Sequence, residues 1–409
     1  MKKISLMALA MATTLVAGAQ ANIVKDAERA MKGGETAAKV VEIITPAFTN
    51  PETAELAQTW FIPGKASYAQ YDKLLGLKQF NQLKEGDNLL MAKLLISGFG
   101  YFEKALPLDT IVDAKGKVKT KYSKDIVNTI TGHMADYSNA GVDLYNAKDY
   151  KGAYDVWGIF CKLDEIPALR ENLEKSKQLP SDTVFGEIAF NQGLAAWQAE
   201  DLKGALKAFD YARHHAYNKK VLYDYAISVG MGAGDTLAIL DFAKEALPLY
   251  GKEDPMYMGQ IVNYYLQRKD YDNAFSTINE AIANDPGNAQ FYVIRGVLYE
   301  NTEKRDEAKA DYAKAKELDP QNPQAVYNYG RMLCEEAYRL NDNAPADQAE
   351  YNKYYEEKIK PLFESAVEIL ENAYNLDKEN IDVLRYLENV YYNLNNEQML
   401  EDVRNRMKL

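Results

Sequence analysis

The chain has 409 residues, 47% of them hydrophobic, which is enough for two or three domains or one long repeat array and too apolar for a disordered chain. Its formal charge of −12 disfavours nucleic acid and anionic membrane as partners. Thirty tyrosines against 13 Phe and 3 Trp suit half-buried surfaces, because the ring is apolar and its tip is wet.

The first residues read as a secretory leader. Lys2 and Lys3 precede an apolar run, Ile4 to Val16, and Ala19-Gln20-Ala21 is a small-x-small cleavage site. Residues 1–21 are therefore expected to be a signal peptide, and the mature chain to begin at Asn22 with a formal charge near −14 once Lys2 and Lys3 are gone. The apolar run is too short to span a bilayer. No cysteine stands at the cleavage site, so a lipid anchor of the lipoprotein type is not expected. No later stretch is apolar enough for membrane insertion. The expected location is the periplasm or the outside of the cell.

Residues 22–112 form an N-terminal helical region. Trp60 and Gly64 mark a first helix, interrupted by Pro63, and Gly98, Phe102 and Ala105 mark a second. Residues 113–133 form a link rich in lysine, with Lys115, Lys117, Lys119, Lys121 and Lys124. It reads as a domain boundary, either a solvated connector or a docking spot for an anionic partner.

Residues 134–409 are periodic. Tyr292, Gly296 and Tyr299 lie on one helical face, Ala308, Tyr312 and Ala315 on the next, and Pro320 ends the unit. The same pattern stands thirty-four residues earlier at Met258, Val262, Tyr265, Ala274, Ile278, Ala281 and Pro286. Further copies run through Ala189, Gly193, Ala196, Ala205 and Phe209, and through Tyr137, Gly141, Leu144, Ala153 and Trp157. Leu222, Ala226, Val229, Ala238 and Phe242 make a looser one. Units are expected near 134–167, 186–218, 219–254, 255–288, 289–322, 323–380 and 381–409. The unit from 323 carries an extra segment, within which Asn341 to Glu350 reads as a polar loop with Pro345. The segment 167–183, with Leu169, Leu173 and Leu179, fits no repeat.

This spacing resembles the tetratricopeptide-repeat family, whose unit is two antiparallel helices in 34 residues. The resemblance implies an all-α fold, a right-handed superhelical solenoid of antiparallel helix pairs. Small residues such as Gly296 and Ala308 sit where helix axes approach closely, and rings fill the seams around them. Together with the leader, the chain is similar to exported repeat proteins of Gram-negative, Bacteroidetes-like bacteria.

The search for chemistry finds no catalytic pattern, so no enzyme, no cofactor and no metal is expected. His133, His214 and His215 are the only histidines, and the last two are adjacent and point about 100° apart on a helix. Gly230, Gly232 and Gly234 read as a turn, with Asp235 or Thr236 capping the next helix. Cys161 and Cys334 are about five units apart and read as buried free thiols.

The resemblance implies that first helices line a concave groove. The residues expected there are Tyr145, Phe190, Leu194, Trp197, Tyr223, Ile227, Asn263, Asn301, Tyr327 and Arg331. Phe190, Leu194, Trp197, Tyr223 and Ile227 would form one apolar stretch, unless 167–183 folds back and fills it. The Lys and Asn pair with which chaperone-binding relatives grip a carboxylate is missing, since Ser138 and Val142 stand at matching places. The expected activity is that of a non-enzymatic protein-interaction scaffold of the cell envelope, binding a protein or peptide segment. Glycan binding in polysaccharide uptake is the alternative, since Tyr and Trp stack on sugar rings.

Overall fold

The structure is a computed structural model that describes residues 22–112 and 118–408. The expected signal peptide, Lys115 and Lys117 lie outside the described residues. The chain divides into two compact units, one running to Gly234 and one starting at Asp235. The Lys-rich stretch lies inside the first unit.

In the first unit, helices α1 (22–32) and α2 (Ala37–Ile44) precede two long antiparallel helices, α3 (Ala57–Gln79) and α4 (Asp87–Leu108). A short antiparallel ladder, β1 (Ile111–Val112) with β2 (Val118–Lys119), leads into α5 (Ser123–Gly132). Then come the pair α6 (Met134–Asn146) and α7 (Tyr150–Glu165), the single helix α8 (Pro167–Ser176), and the pair α9 (Asp182–Gln198) and α10 (Leu202–His214). Helix α11 (Lys220–Ala233) ends this unit.

The second unit opens with α12 (Thr236–Tyr250). Two compact pairs follow, α13 (Met256–Gln267) with α14 (Tyr271–Asn284) and α15 (Ala289–Asn301) with α16 (Arg305–Leu318). Helix α17 (Pro323–Asp342) is longer. Its insertion forms α18 (Gln348–Tyr354) and a π-helical turn (Tyr355–Ile359) before α19 (Lys360–Leu376) packs back on α17. The pair α20 (Ile381–Asn393) and α21 (Glu397–Arg406) closes the chain.

One contact recurs inside the pairs. A small residue on the first helix faces a large side chain sixteen residues later on the second. A Cβ on Gly193 would lie 2.4 Å from the Phe209 ring, and one on Gly296 would lie 2.5 Å from Tyr312. Gly141 meets Trp157 in the same way. In the two enlarged pairs the contact survives the insertion. Gly64 faces Phe102, with 2.4 Å between the would-be Cβ and the ring, and Gly330 faces Leu370.

The turns inside the pairs also repeat. The residue before the second-helix cap has a left-handed backbone: Lys148, Glu200, Lys269 and Asn395 have φ between 53° and 62°. The next residue caps the second helix, as when Asp201 accepts from Gly204 N at 2.9 Å and Asp149 from Gly152 N at 3.0 Å. Gly234, with φ +66°, and Asp235, which accepts from Ala238 N, follow the same rule.

Two expectations, on Pro63 and on the stretch around Pro345, need correction, and the alternative left open for 167–183 is decided. Helix α3 runs straight through Pro63. The one bond lost there is offset by burial of Ile62, Ser67, Tyr68 and Tyr71 along the helix. The segment 167–183 does not fill a groove. Its helix α8 packs on α5 and α7, burying Leu169 and Leu173, and Asn172 accepts from Thr131 Oγ1 at 2.9 Å. The polar stretch around Pro345 is shorter than expected, because α17 continues to Asp342 and α18 starts at Gln348.

The Lys-rich stretch is held by a buried carboxylate. Asp109, 2% exposed, accepts from the backbone N–H groups of Lys121, Tyr122 and Ser123 at 2.6–3.0 Å and from Ser123 Oγ at 2.7 Å. Burial alone would raise its pKa, but these donors outweigh burial and hold it below the usual carboxylate range. This stabilisation is complete above the unfolded carboxylate pKa and is lost as pH falls through the lower folded value.

Two outcomes follow. Gly193→Ala should lower stability by about 1–3 kcal/mol in denaturant titration, with partial recovery when Phe209→Leu is added. Asp109→Asn should cost about 2 kcal/mol at neutral pH, with the gap to the parent closing on acidification below about pH 4. A pH-independent gap would show that the carboxylate charge is not the cause.

Candidate functional site

The face of α6 that meets α7 carries Tyr137, Gly141 and Leu144, all buried. Successive residues on a helix turn by about 100°, so Val142, Tyr145 and Asn146 sit on its outer shoulder. On α9, Ala189, Gly193 and Ala196 are buried, which leaves Asn191 and Leu194 on the corresponding shoulder. These two shoulders flank an open concavity of about 180 Å³, lined by Val142, Tyr145, Asn146, Trp157, Asn191 and Leu194.

Trp157 of α7 is the floor. It is buried, and its Nε1–H donates to Ser138 O at 3.2 Å. Tyr145 leans on it with ring centroids 6.0 Å apart and meets Tyr150 edge-on at 5.2 Å. Burial, then the neighbouring phenols of Tyr150 and Tyr225, pushes the Tyr145 hydroxyl up, so it stays a neutral donor. Val142 is 49% exposed. Among the described residues, the Asn146 and Asn191 amides have no hydrogen-bond partner within the chain. The site can therefore take an apolar group on Trp157 and Leu194, and an amide-like donor and acceptor on the two asparagines.

Of the groove residues expected in the first unit, the structure brings Tyr145 and Leu194 together. Trp197 is half-buried and meets Tyr225 edge-on at 5.3 Å. Phe190, Tyr223 and Ile227 need correction, because all three are buried. Tyr217, at the turn after α10, stacks on Phe190 at 4.9 Å, and Phe209 lies behind it at 5.7 Å. A first-helix position is open only where the neighbouring turn leaves it so.

In the second unit, Asn263 and Asn301 are exposed. The Asn301 amide turns back to donate to Val297 O at 2.9 Å. Tyr327 is half-buried, edge-on to Tyr386 at 6.1 Å. Arg331 is corrected as a free contact, because its guanidinium donates to Glu300 and Glu335 at 2.5–2.9 Å. Burial opposes its charge, but those carboxylates raise its pKa further, so it remains a cation locked in place.

Asn146, Trp157 and Asn191 were not singled out as site residues. The available signal was Asn191 three residues before Leu194, which places both on one helix face. The thiols of Cys161 and Cys334 are free and buried, and burial pushes both up to about 12, so neither is a nucleophile.

Tyr223→Ala should cost about 3–5 kcal/mol in thermal or denaturant unfolding, as a core truncation does. Leu194→Asp, at a half-buried shoulder position, should cost less than that core truncation, about 1–2 kcal/mol.

Residues 289–322 match the family model for the tetratricopeptide repeat. No curated protein matches the chain. The C-terminal part of a repeat-containing protein from Cytophaga hutchinsonii is similar at 16% identity, over 66% of this chain and 93% of that one, with a TM-score of 0.37. A TPR repeats protein from Bacteroides fragilis NCTC 9343 is similar at 17% identity, over 63% and 98%, with a TM-score of 0.26. YrrB, described as a TPR protein with an unusual peptide-binding site, is similar at 18% identity over 53% and 95%, with a TM-score of 0.31. The matched repeat coincides with the pair α15 and α16, and pairs of the same build stand before and after it in the sequence, so the chain carries a tetratricopeptide repeat within an all-α array of helix pairs.

Proposed function

We propose that this protein is a non-enzymatic interaction scaffold, exported to the periplasm or beyond, that holds an extended protein segment between α6 and α9. The observation that carries this reading is the pairing of an apolar floor with two unengaged carboxamides on its rim. An extended backbone offers an N–H and a C=O at every residue, and Asn146 and Asn191 can satisfy both without regard to sequence. Trp157, Leu194 and Val142 then select one apolar side chain. A concavity of about 180 Å³ suits a side chain rather than a whole small molecule. Export rests on the leader-like residues 1–21.

Selection of random displayed peptides on the purified chain should enrich segments with an apolar residue flanked by small polar ones. Asn191→Ala should weaken the best of them about tenfold with melting unchanged, and Leu194→Asp should weaken them more with melting lowered only slightly. Peptides whose affinity ignores both variants would sink the assignment. Protein recovered from an expressing Gram-negative cell should be periplasmic and begin at Asn22. Retention of residues 1–21 in the cytoplasm would sink the export reading.

A further inference from the structure

The first unit holds a second concavity, apart from the groove described above. It is about 330 Å³ in volume and lies over α7, between α4 on one side and α9 and α10 on the other. That is the low end of the roughly 300–1,000 Å³ range of small-molecule sites. Part of its space comes from the missing side chain of Gly100, while Gln192 takes the place beside Gly158. Gly158 notches α7, where a Cβ would stand 2.7 Å from Gln192 Nε2. Gly100 of α4 faces open space, with no atom within 4 Å of a Cβ placed there. Neither glycine has a positive φ, so backbone geometry does not require either one. Gly100 is also not a packing contact of the kind made by Gly64 or Gly193.

Ile96, Phe99 and Ile159 give the walls an apolar share, and the charged groups on them are of both signs. Lys162 Nζ pairs with Glu103 at 2.5 Å, and Asp155 pairs with Lys151 at 3.2 Å. Lys207 and Glu165, both exposed, add one charge of each sign to the rim. Tyr154 and Tyr211 line it; one face of the Tyr211 ring is taken by His215, stacked at 3.8 Å, and its hydroxyl donates to Cys161 O at 3.3 Å. Gln192 anchors its Nε2 on Tyr154 O at 3.3 Å.

From this we infer that the cavity over α7 binds a neutral polyhydroxylated ligand, one or two sugar rings in size. An anionic ligand would face Glu103, Asp155 and Glu165, and a cationic one Lys162 and Lys207. A sugar hydroxyl both donates and accepts, so it can serve either partner of an ion pair without disturbing it. The apolar C–H face of a pyranose would lie on Tyr154 or on the face of Tyr211 that His215 leaves open. This assignment is independent of the peptide groove, since the two sites share no lining residue.

Titration calorimetry and saturation-transfer NMR on the full chain, with D-glucose, D-galactose, D-mannose, maltose and cellobiose as probes, test it. At least one sugar should saturate at millimolar concentration or below. Gly100→Leu should abolish that binding while leaving the melting temperature unchanged or raised, because leucine fills open space and favours the helix. Leu194→Asp, in the peptide groove, should leave sugar binding intact. The assignment is overturned if no sugar saturates, if Gly100→Leu binds as the parent does, or if the charged dipeptides Lys-Ala or Ala-Glu bind at the same place in preference.

Discussion

The close approach of a small first-helix residue to a large second-helix side chain fixes the geometry of every pair in which it occurs. Where Gly193 meets Phe209 or Gly296 meets Tyr312, the missing Cβ lets the ring lie against the opposing backbone, and the separation of the two axes follows. The enlarged pairs show how firm this constraint is. Between α3 and α4, and between α17 and α19, the chain inserts more than twenty residues, yet Gly64 still meets Phe102 and Gly330 still meets Leu370. The added length goes to the far end of the hairpin. In the first case it lengthens both helices. In the second it builds α18 and the π turn, pinned where Tyr355 Oη donates to Asn393 O at 2.6 Å.

The turns solve a second problem, that of reversing the chain within a few residues. A left-handed residue costs about 1–2 kcal/mol when it is not glycine, and the chain accepts that cost at Lys148, Glu200, Lys269 and Asn395. The reversal leaves first-turn N–H groups without helical partners, and the side chain of Asp149, Asp201, Asp270 or Asn396 accepts one of them. At Glu303 and Lys304 the backbone geometry is kept with no side-chain cap, so the capping bond adds stability but is not what makes the turn.

Fold and site differ in how far they can be read from the residues alone. The pairs were legible because a period of 34 residues brings Gly, Ala and rings back to the same offsets, and the contact they make is local to two helices. The insertion points were legible too, as a shift in those offsets. Helix α3 was less so, because the effect of Pro63 depends on what the rest of the helix buries. The groove was legible only in part. Tyr145 and Leu194 are half-buried and line the groove, but Phe190 is covered by Tyr217, a turn residue whose reach depends on where α10 ends. The order around Lys121 was hidden for a similar reason. Its anchor, Asp109, lies twelve residues upstream, across the β1–β2 ladder.

The seams of the two units use different chemistry, and this bears on where a partner binds. In the second unit, cations are locked between carboxylates: Arg295 on Asp311 at 2.7 Å, Arg331 between Glu300 and Glu335, and Arg406 on Glu371 and Asp402. Such pairs add little net stability over an apolar contact, but they penalise any shift in register, because a displaced charge loses its partner in a poorly solvated place. Arg295 also lies over Tyr292 and Tyr299, which ties up those rings. In the first unit, ion pairs such as Lys78–Asp143 and Lys162–Glu103 also cross between helices, but the seams beside the proposed groove are aromatic, as at Trp157 with Tyr145 and at Phe190 with Phe209 and Tyr217. A partner entering there displaces water from apolar surface and breaks no ion pair. In the second unit it would have to compete with one. On an acidic chain, rings and amides in the first unit are the surface that the proposed segment would use.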